Sequence, residues 1–376
     1  MQIPSNQNLK FFECCIPVKG YARSIIYDLN RYDYDFIPNH LYDFLINNDK
    51  KIVDLERYEK SERELMISYI DFLLNKDYIF FCEENEIPFF KPLSLEWDFP
   101  STIVAVVAEI GNEWTDDEQV LLLNRLREVN CLHLQLYSES LHELIFFTSF
   151  LEKIQESNLR SLEIIIPYYE PLDEVTIKDL LFTYIRVKNI IFYNAPSDRS
   201  IQIGEYKYKC FYIKKDINFD GYVDYGYFQV NVQLFTEAHS HNTYFNRKVF
   251  IDKNLNVKNS AFSKKEFENL RDEKLSVIVK KPDFQRLWNI HKDQVDVCKD
   301  CEFRYMCVDS RIPLQRDNGS WFYPIECNYN PYIAKWRGEE GYISLIDCGV
   351  ICNSDEYHIN FNQIGSIIDI MYSEVS

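Results

Sequence analysis

The chain has 376 residues, 46% of them hydrophobic, so it can bury sizeable cores and is not a disordered polypeptide. Its formal net charge of −18 opposes binding to nucleic-acid phosphates and to anionic membranes. With 10 glycines and neither a Gly-x-Gly-x-x-Gly nor a Gly-x4-Gly-Lys stretch, it lacks the usual backbone cradles for ATP or NAD phosphates.

The first elements are the short apolar pieces Cys14–Val18 and Ser24–Leu29, followed by the alternating Tyr32, Tyr34 and Phe36. Lys19-Gly20 and Asn30-Arg31 separate them as turns, and a period of two predicts a small antiparallel sheet. Pro38-Asn39 opens a helical pattern through Leu41, Phe44 and Leu45. A longer helix follows, with Ser61 and Glu64 as a capping box and Leu65, Met66, Tyr69, Phe72 and Leu73 at helical spacing. Tyr78–Cys82 closes the unit as a strand, and residues 1–92 read as a winged-helix-like module.

Pro88, Pro92 and Pro100 mark a seam, because none suits a helix interior. Beyond it, strands are expected at Thr102–Ile110, Leu132–Tyr137, Leu162–Pro167, Asn189–Tyr193 and Lys209–Ile213. Helices are expected between them at Gln119–Val129, Leu141–Gln155 and Ile177–Val187, with Asp116-Asp117-Glu118 as a solvated helix start. This alternation predicts a parallel sheet over residues 93–230, too short for the ~250 residues of a closed eight-fold barrel. Regularity fades over residues 231–376, where paired aromatics and turns such as Asn318-Gly319 dominate. The expected fold class is mixed α/β.

No run approaches the ~20 apolar residues of a membrane span, and Met1 to Lys10 lacks an export-signal pattern. A cytoplasmic setting follows as the expectation, in which the 11 cysteines stay reduced as buried thiols or metal ligands. Cys298, Cys301 and Cys307 form Cys-x2-Cys-x5-Cys, and Cys327 follows. A Cys-x2-Cys turn points two thiolates at one metal, and later cysteines complete a four-thiolate set that suits either zinc or an iron–sulfur cluster. Cys348 is an alternative fourth ligand. His239-Ser-His241 would place two imidazoles on one face of a strand, with no carboxylate spacing in support.

The stretch from Phe245-Asn246-Arg247-Lys248 through Asn259-Ser260, Cys298–Arg311 and Cys327-Asn328-Tyr329-Asn330-Pro331 resembles the SPASM-domain peptide maturase of grasp-with-SPASM systems. Cys14-Cys15-Ile16-Pro17-Val18-Lys19-Gly20 and Ile37-Pro38-Asn39 resemble the same family, so the likeness runs nearly end to end. The resemblance implies a degenerate radical-SAM-like partial α/β barrel over 93–230 and a SPASM-like cysteine domain over 231–376. Such maturases act on ribosomal precursor peptides together with an ATP-grasp ligase. A SPASM domain carries two auxiliary 4Fe–4S clusters, but Ser260 and Ser310 stand where the second would need cysteines. One cluster is therefore expected at Cys298, Cys301, Cys307 and Cys327, with one zinc ion as the alternative. The Cys-x3-Cys-x2-Cys motif of radical SAM chemistry is missing after Thr102–Ile110, where no cysteine precedes Cys131.

The front module resembles a RiPP recognition element, which implies that a leader peptide adds a strand beside Arg31–Phe36. The contact residues expected there are Tyr32, Asp33, Tyr34 and Asp35, with Leu65 and Tyr69 on the helix Glu62–Leu74. Tyr32, Tyr34 and Phe36 would share one face, and Phe36 would belong to the core. The expected function is an accessory factor that binds the leader and presents the precursor to the ligase, and the missing radical SAM and nucleotide motifs weigh against catalysis without deciding it. A redox enzyme using the single cluster and a zinc-stabilised assembly scaffold are the alternatives.

Overall fold

The computed structural model describes residues 4, 6–49, 51–56, 58–111, 114–170, 174–203, 208–216 and 228–373. The chain forms two compact units, each assembled from separate stretches of sequence. One gathers residues 1–97, 223–243 and 290–376, and the other 98–222 and 244–289. The first boundary falls inside the proline-marked seam.

In the first unit, β1 (Asn8–Phe11), β2 (Cys15–Val18), β3 (Ser24–Asp28), β4 (Asp33–Ile37), α1 (Asn39–Asn48), β5 (Lys51–Ile52), α2 (Lys60–Asn75) and β6 (Ile79–Cys82) follow in order. They make two three-stranded antiparallel sheets where the alternation suggested one, ordered β2-β3-β4 and β5-β1-β6. The closing strand β6 pairs with β1, a distant partner that no local pattern reveals. Ile26 and Ile37 share a core with Leu41, Phe44, Met66, Ile70 and Leu73 of the helices. Ile25 and Tyr27, alternating to the opposite face of β3, pack instead with Val230, Phe235, Phe303, Met306 and Tyr329. Helix α2 starts earlier than expected: Glu59 is its N-cap and closes the capping box with Glu62, replacing Ser61 and Glu64.

Tyr32 departs from the expected strand face. It sits in the β3–β4 turn with φ +59, 74% exposed. Phe36 is 42% exposed and is not a core residue, while Ile37 beside it is buried. Residues 232–238 form a helix (Val232–Ala238), so His239 caps a helix end and the expected strand around His239 and His241 is absent. The rest of the unit is held in short hairpins, Leu314–Gln315 with Trp321–Phe322, Tyr329–Asn330 with Lys335–Trp336, and Val350–Cys352 with Tyr357–Ile359, before a last helix Phe361–Ser373.

The second unit is an eight-stranded, mostly parallel sheet. It contains β7 (Ala105–Glu109), α3 (Asp116–Glu128), β8 (His133–Tyr137), α4 (Thr148–Gln155), β9 (Ser161–Pro167), α5 (Glu174–Thr183), β10 (Val187–Tyr193), β11 (Arg199–Ile203), β12 (Tyr208–Tyr212), β13 (Lys248–Ile251) and β14 (Val257–Lys258). The order is β11-β12-β10-β9-β8-β7-β13-β14, an open sheet in which β7 to β10, β12 and β13 run parallel. One strand face (Val106, Leu134, Leu136, Ile164, Ile190, Phe192) is fully buried, as are the apolar stripes of α3 to α5, the layering that a parallel sheet requires. The other face carries a polar row, in which Gln135 and Asn189 both donate to the Glu163 carboxylate. Thr115 caps α3 in a capping box with Glu118, as the acidic start predicts. β13 joins this sheet beside β7 although it lies beyond the expected boundary at residue 230. Among the described residues no helix is long and apolar enough to cross a membrane.

Candidate functional site

The cysteine segment begins at Val297, held at φ +68, which turns the chain into the tight 3-10 turn Cys298–Asp300. Cys301 N–H donates to Cys298 O at 3.0 Å, and Cys307 N–H to Phe303 O at 3.0 Å, so two successive turns bring three thiols to one side. Thr243 Oγ1 donates to Cys307 O at 3.0 Å, and Arg304 Nη1 to Cys301 O at 2.9 Å, fixing the backbone between them. Cys327 arrives from the chain before Tyr329, whose N–H donates to its sulfur at 3.4 Å.

The four thiols act on one another. Burial pushes the Cys298 thiol up to about 11, with Cys327 adding repulsion, and the Cys307 thiol up to about 12, with Cys327 and Cys298 adding. Burial also drives Cys301 well above the ordinary thiol, with Glu302, Cys298 and Cys307 reinforcing it. Burial thus favours the protonated thiols, and a metal held by them would displace those protons.

The donor set of four thiols suits either zinc or an iron–sulfur cluster. Tetrahedral zinc with Zn–S near 2.3 Å holds its sulfurs about 3.8 Å apart. Among the described residues, no three of these four sulfurs lie within 4.8 Å of one another. An iron–sulfur cluster, being larger than one ion, takes its thiolates further apart than zinc does. Cys348 is buried in an apolar core with Tyr332, Ile333, Leu345 and Ile364, a core that also includes Val297 beside Cys298. Its raised pKa comes from that burial, opposed by a hydrogen bond with Asn330.

A cavity of ≈ 230 Å³ reaches this centre; Cys298, Cys327, Arg311 and Tyr323 line it, with Ile325 and Ile346 at its exposed rim. Cys352, which carries no spacing signal in the sequence, lines the same cavity and accepts from Arg316 Nη2 at 3.5 Å. Glu302, fully buried, receives Arg23 Nε at 2.7 Å and the Tyr329 hydroxyl. This join explains Gly20: a Cβ there would lie 2.4 Å from Arg23 O and 2.9 Å from Glu302 Cβ.

A second cysteine group lies in the front sheet. Cys14 and Cys15 sulfurs are 3.9 Å apart, and Cys15 stands opposite Asp28 in the β2–β3 register, so three ligand atoms lie within 4.8 Å. The Asp28 carboxylate is already engaged, paired with Arg31 Nε at 2.5 Å and accepting the Arg31 and Asn30 N–H groups at 2.9 and 3.2 Å. Burial and the neighbouring Cys14 keep the Cys15 thiol protonated.

The residues expected to meet a peptide lie on and beside β4 and on α2. β4 is an edge strand, next to β3 alone among the described residues. Asp33 Oδ1 accepts the Tyr34 N–H at 2.8 Å, and Tyr34 packs edge-on against Phe36 and Phe303. Asp35 is taken up by Lys76 Nζ at 2.8 Å and by the Tyr78 hydroxyl, which together depress its pKa against the opposing effect of burial. On α2, Leu65 is exposed, and the Tyr69 hydroxyl meets His40 Nε2. His239 stacks on Tyr305 at 3.9 Å, and its Nδ1 lies 2.7 Å from Phe235 O, a packing role. Ser260 and Ser310 fall in different units. No family model, no curated protein and no solved structure matches the chain.

Proposed function

We propose that the chain is an accessory factor of ribosomal-peptide maturation. It holds the leader of a precursor peptide along β4, presents the peptide to an ATP-grasp ligase, and carries one 4Fe–4S cluster on Cys298, Cys301, Cys307 and Cys327. The observation that carries the peptide half is the open edge of β4, a five-residue strand with one neighbour among the described residues. An extended peptide paired there gains main-chain hydrogen bonds, while the exposed faces of Tyr32 and Phe36 offer apolar contact. Asp35, paired with Lys76 and Tyr78, anchors the strand.

The cluster half is supported by four cysteines brought into one neighbourhood, no three of whose sulfurs lie within the 4.8 Å that suits a single ion. When bound, such a cluster cross-links an irregular segment and exchanges single electrons. The protein's own contribution is to seat the ligands on successive turns and to supply charge beside them. The cavity at Cys298 and Cys327 favours a second reading, a redox enzyme acting on the precursor through that opening. It predicts a reductant-dependent mass change in the precursor beyond the water losses of ligation.

The peptide half is tested by titrating the full chain with the fluorescein-labelled leader of its co-encoded precursor, with amide exchange followed in parallel. Saturable anisotropy together with slowed exchange over Asp33–Ile37 is expected. A leader that binds without protecting these amides, or does not bind, removes it.

A further inference from the structure

Lys292 is buried beside the cysteines, where a lysine is seldom found without a partner. Its Nζ lies 2.9 Å from Asp309 Oδ2. The same carboxylate accepts Arg311 Nε at 3.0 Å and Nη2 at 2.7 Å, while Arg311 Nη1 donates to Ile325 O at 2.7 Å. Both cations also face the Tyr323 ring, 5.3 Å from Lys292 and 4.2 Å from Arg311. Asp309, Arg311 and Tyr323 are buried as well, so two cations share one carboxylate away from water.

Elsewhere in this unit Asp296 also meets two cations, the buried Arg316 at 2.6 Å and the partly exposed Lys299 at 2.7 Å, and the partly exposed Arg23 has Glu302 at 2.7 Å, whereas both cations on Asp309 are buried. An unmatched buried charge is costly unless an opposite charge stands close by. Arg311 and Tyr323 line the same cavity as Cys298 and Cys327. Lys292 is joined to that lining through Asp309 and over the Tyr323 ring. The cysteines are therefore the acceptors placed to balance the excess, once they are thiolates.

We infer that Lys292, acting with Arg311 across Asp309, is the counter-charge of the cysteine centre, positioned to hold a thiolate assembly of net negative charge. The inference rests on reading the four cysteines as ligands of one centre. A thiolate-ligated iron–sulfur cluster is such an assembly, and its potential follows the charge around it. Lys292 touches no ligand sulfur through a bond; it acts through the field, so it is a positioning residue.

The test uses the full chain purified anaerobically as wild type, Lys292→Met, Lys292→Arg and the double variant Lys292→Met/Asp309→Asn. Iron per chain, loss of iron to a chelator and the midpoint potential are measured. Lys292→Met is expected to lose iron about tenfold faster or more, and its remaining centre to have a lower potential, because a nearby cation favours the reduced, more negative state. Lys292→Arg keeps the charge, and the double variant restores it by removing the carboxylate, so both are expected to recover retention and potential towards wild type. A merely structural lysine would leave the double variant worse than the single. An iron-loaded wild type matched by Lys292→Met in both measures, or a double variant that recovers neither, overturns the inference and leaves the cluster standing. A wild type without iron overturns the cluster itself, and the inference with it.

Discussion

The parallel sheet and the cysteine segment solve the same problem by different means. In the sheet unit, strands of five to seven residues bury one continuous apolar face, and helices α3 to α5 carry matching apolar stripes. In residues 290–373, the strands are two or three residues long, and the interior holds Lys292, Asp296, Glu302, Asp309, Arg311 and Arg316. Apolar burial is additive and indifferent to bound groups. Buried charge and buried thiols are conditional, stable only while every partner is in place. The sheet unit is thus expected to stand on its own contacts, and the cysteine segment to depend on what its thiols hold.

The largest effect expected from this contrast is that of removing the proposed metal centre. Cys301→Ser, or chelation of wild type, should raise amide exchange across residues 290–373 while leaving β7 to β10 protected. Equal loosening of both regions breaks the comparison. Next comes Glu302→Gln, which leaves Arg23 without its buried partner and is expected to cost about 3–5 kcal/mol in chemical denaturation. Leu136→Ala, in the buried face of β8, is expected to cost about 2–5 kcal/mol, with the same value in metal-free and metal-loaded protein. A metal-dependent cost at Leu136 would show that the two regions are not independent in stability.

Smaller effects sharpen the picture. Thr115→Ala removes the cap of α3 and is expected to lower stability by about 1 kcal/mol in the same denaturation experiment. Protonation follows from His133, His142 and His239, whose pKa values burial lowers from the ordinary 6.5. The unfolded chain then binds more protons than the folded one between the lowered values and 6.5, so stability rises with pH through that window. A urea midpoint lower at pH 5.5 than at pH 7.5 is expected, and His142→Gln should flatten the difference.

Legibility in the sequence followed the physics of each region. The strands β7, β8, β9 and β10 and the helices between them are readable because a buried parallel sheet imposes long apolar runs at alternating periods. β13 is not, since four residues, Lys248–Ile251, carry no period of their own and join the sheet only through a distant partner. The two front sheets were equally hidden, because β1 and β6 meet across most of the module. Tyr32 reads as strand by alternation, yet the β3–β4 turn places it at positive φ. The cysteines declare themselves by spacing, which is set by the turns that carry them. Lys292, Asp309 and Arg311 do not: a charged residue looks solvated in sequence, and burial of all three is a tertiary fact. Cys352 is silent for the same reason, becoming a neighbour of Cys298 and Cys327 only in the folded cavity.

The central claim is that Cys298, Cys301, Cys307 and Cys327 hold one iron–sulfur cluster, and its most direct test is metal analysis of anaerobically purified protein beside the Cys301→Ser variant. About four irons with matching acid-labile sulfide per chain, lost in the variant, is the result the account predicts. One zinc per chain, or no metal in either protein, would contradict it.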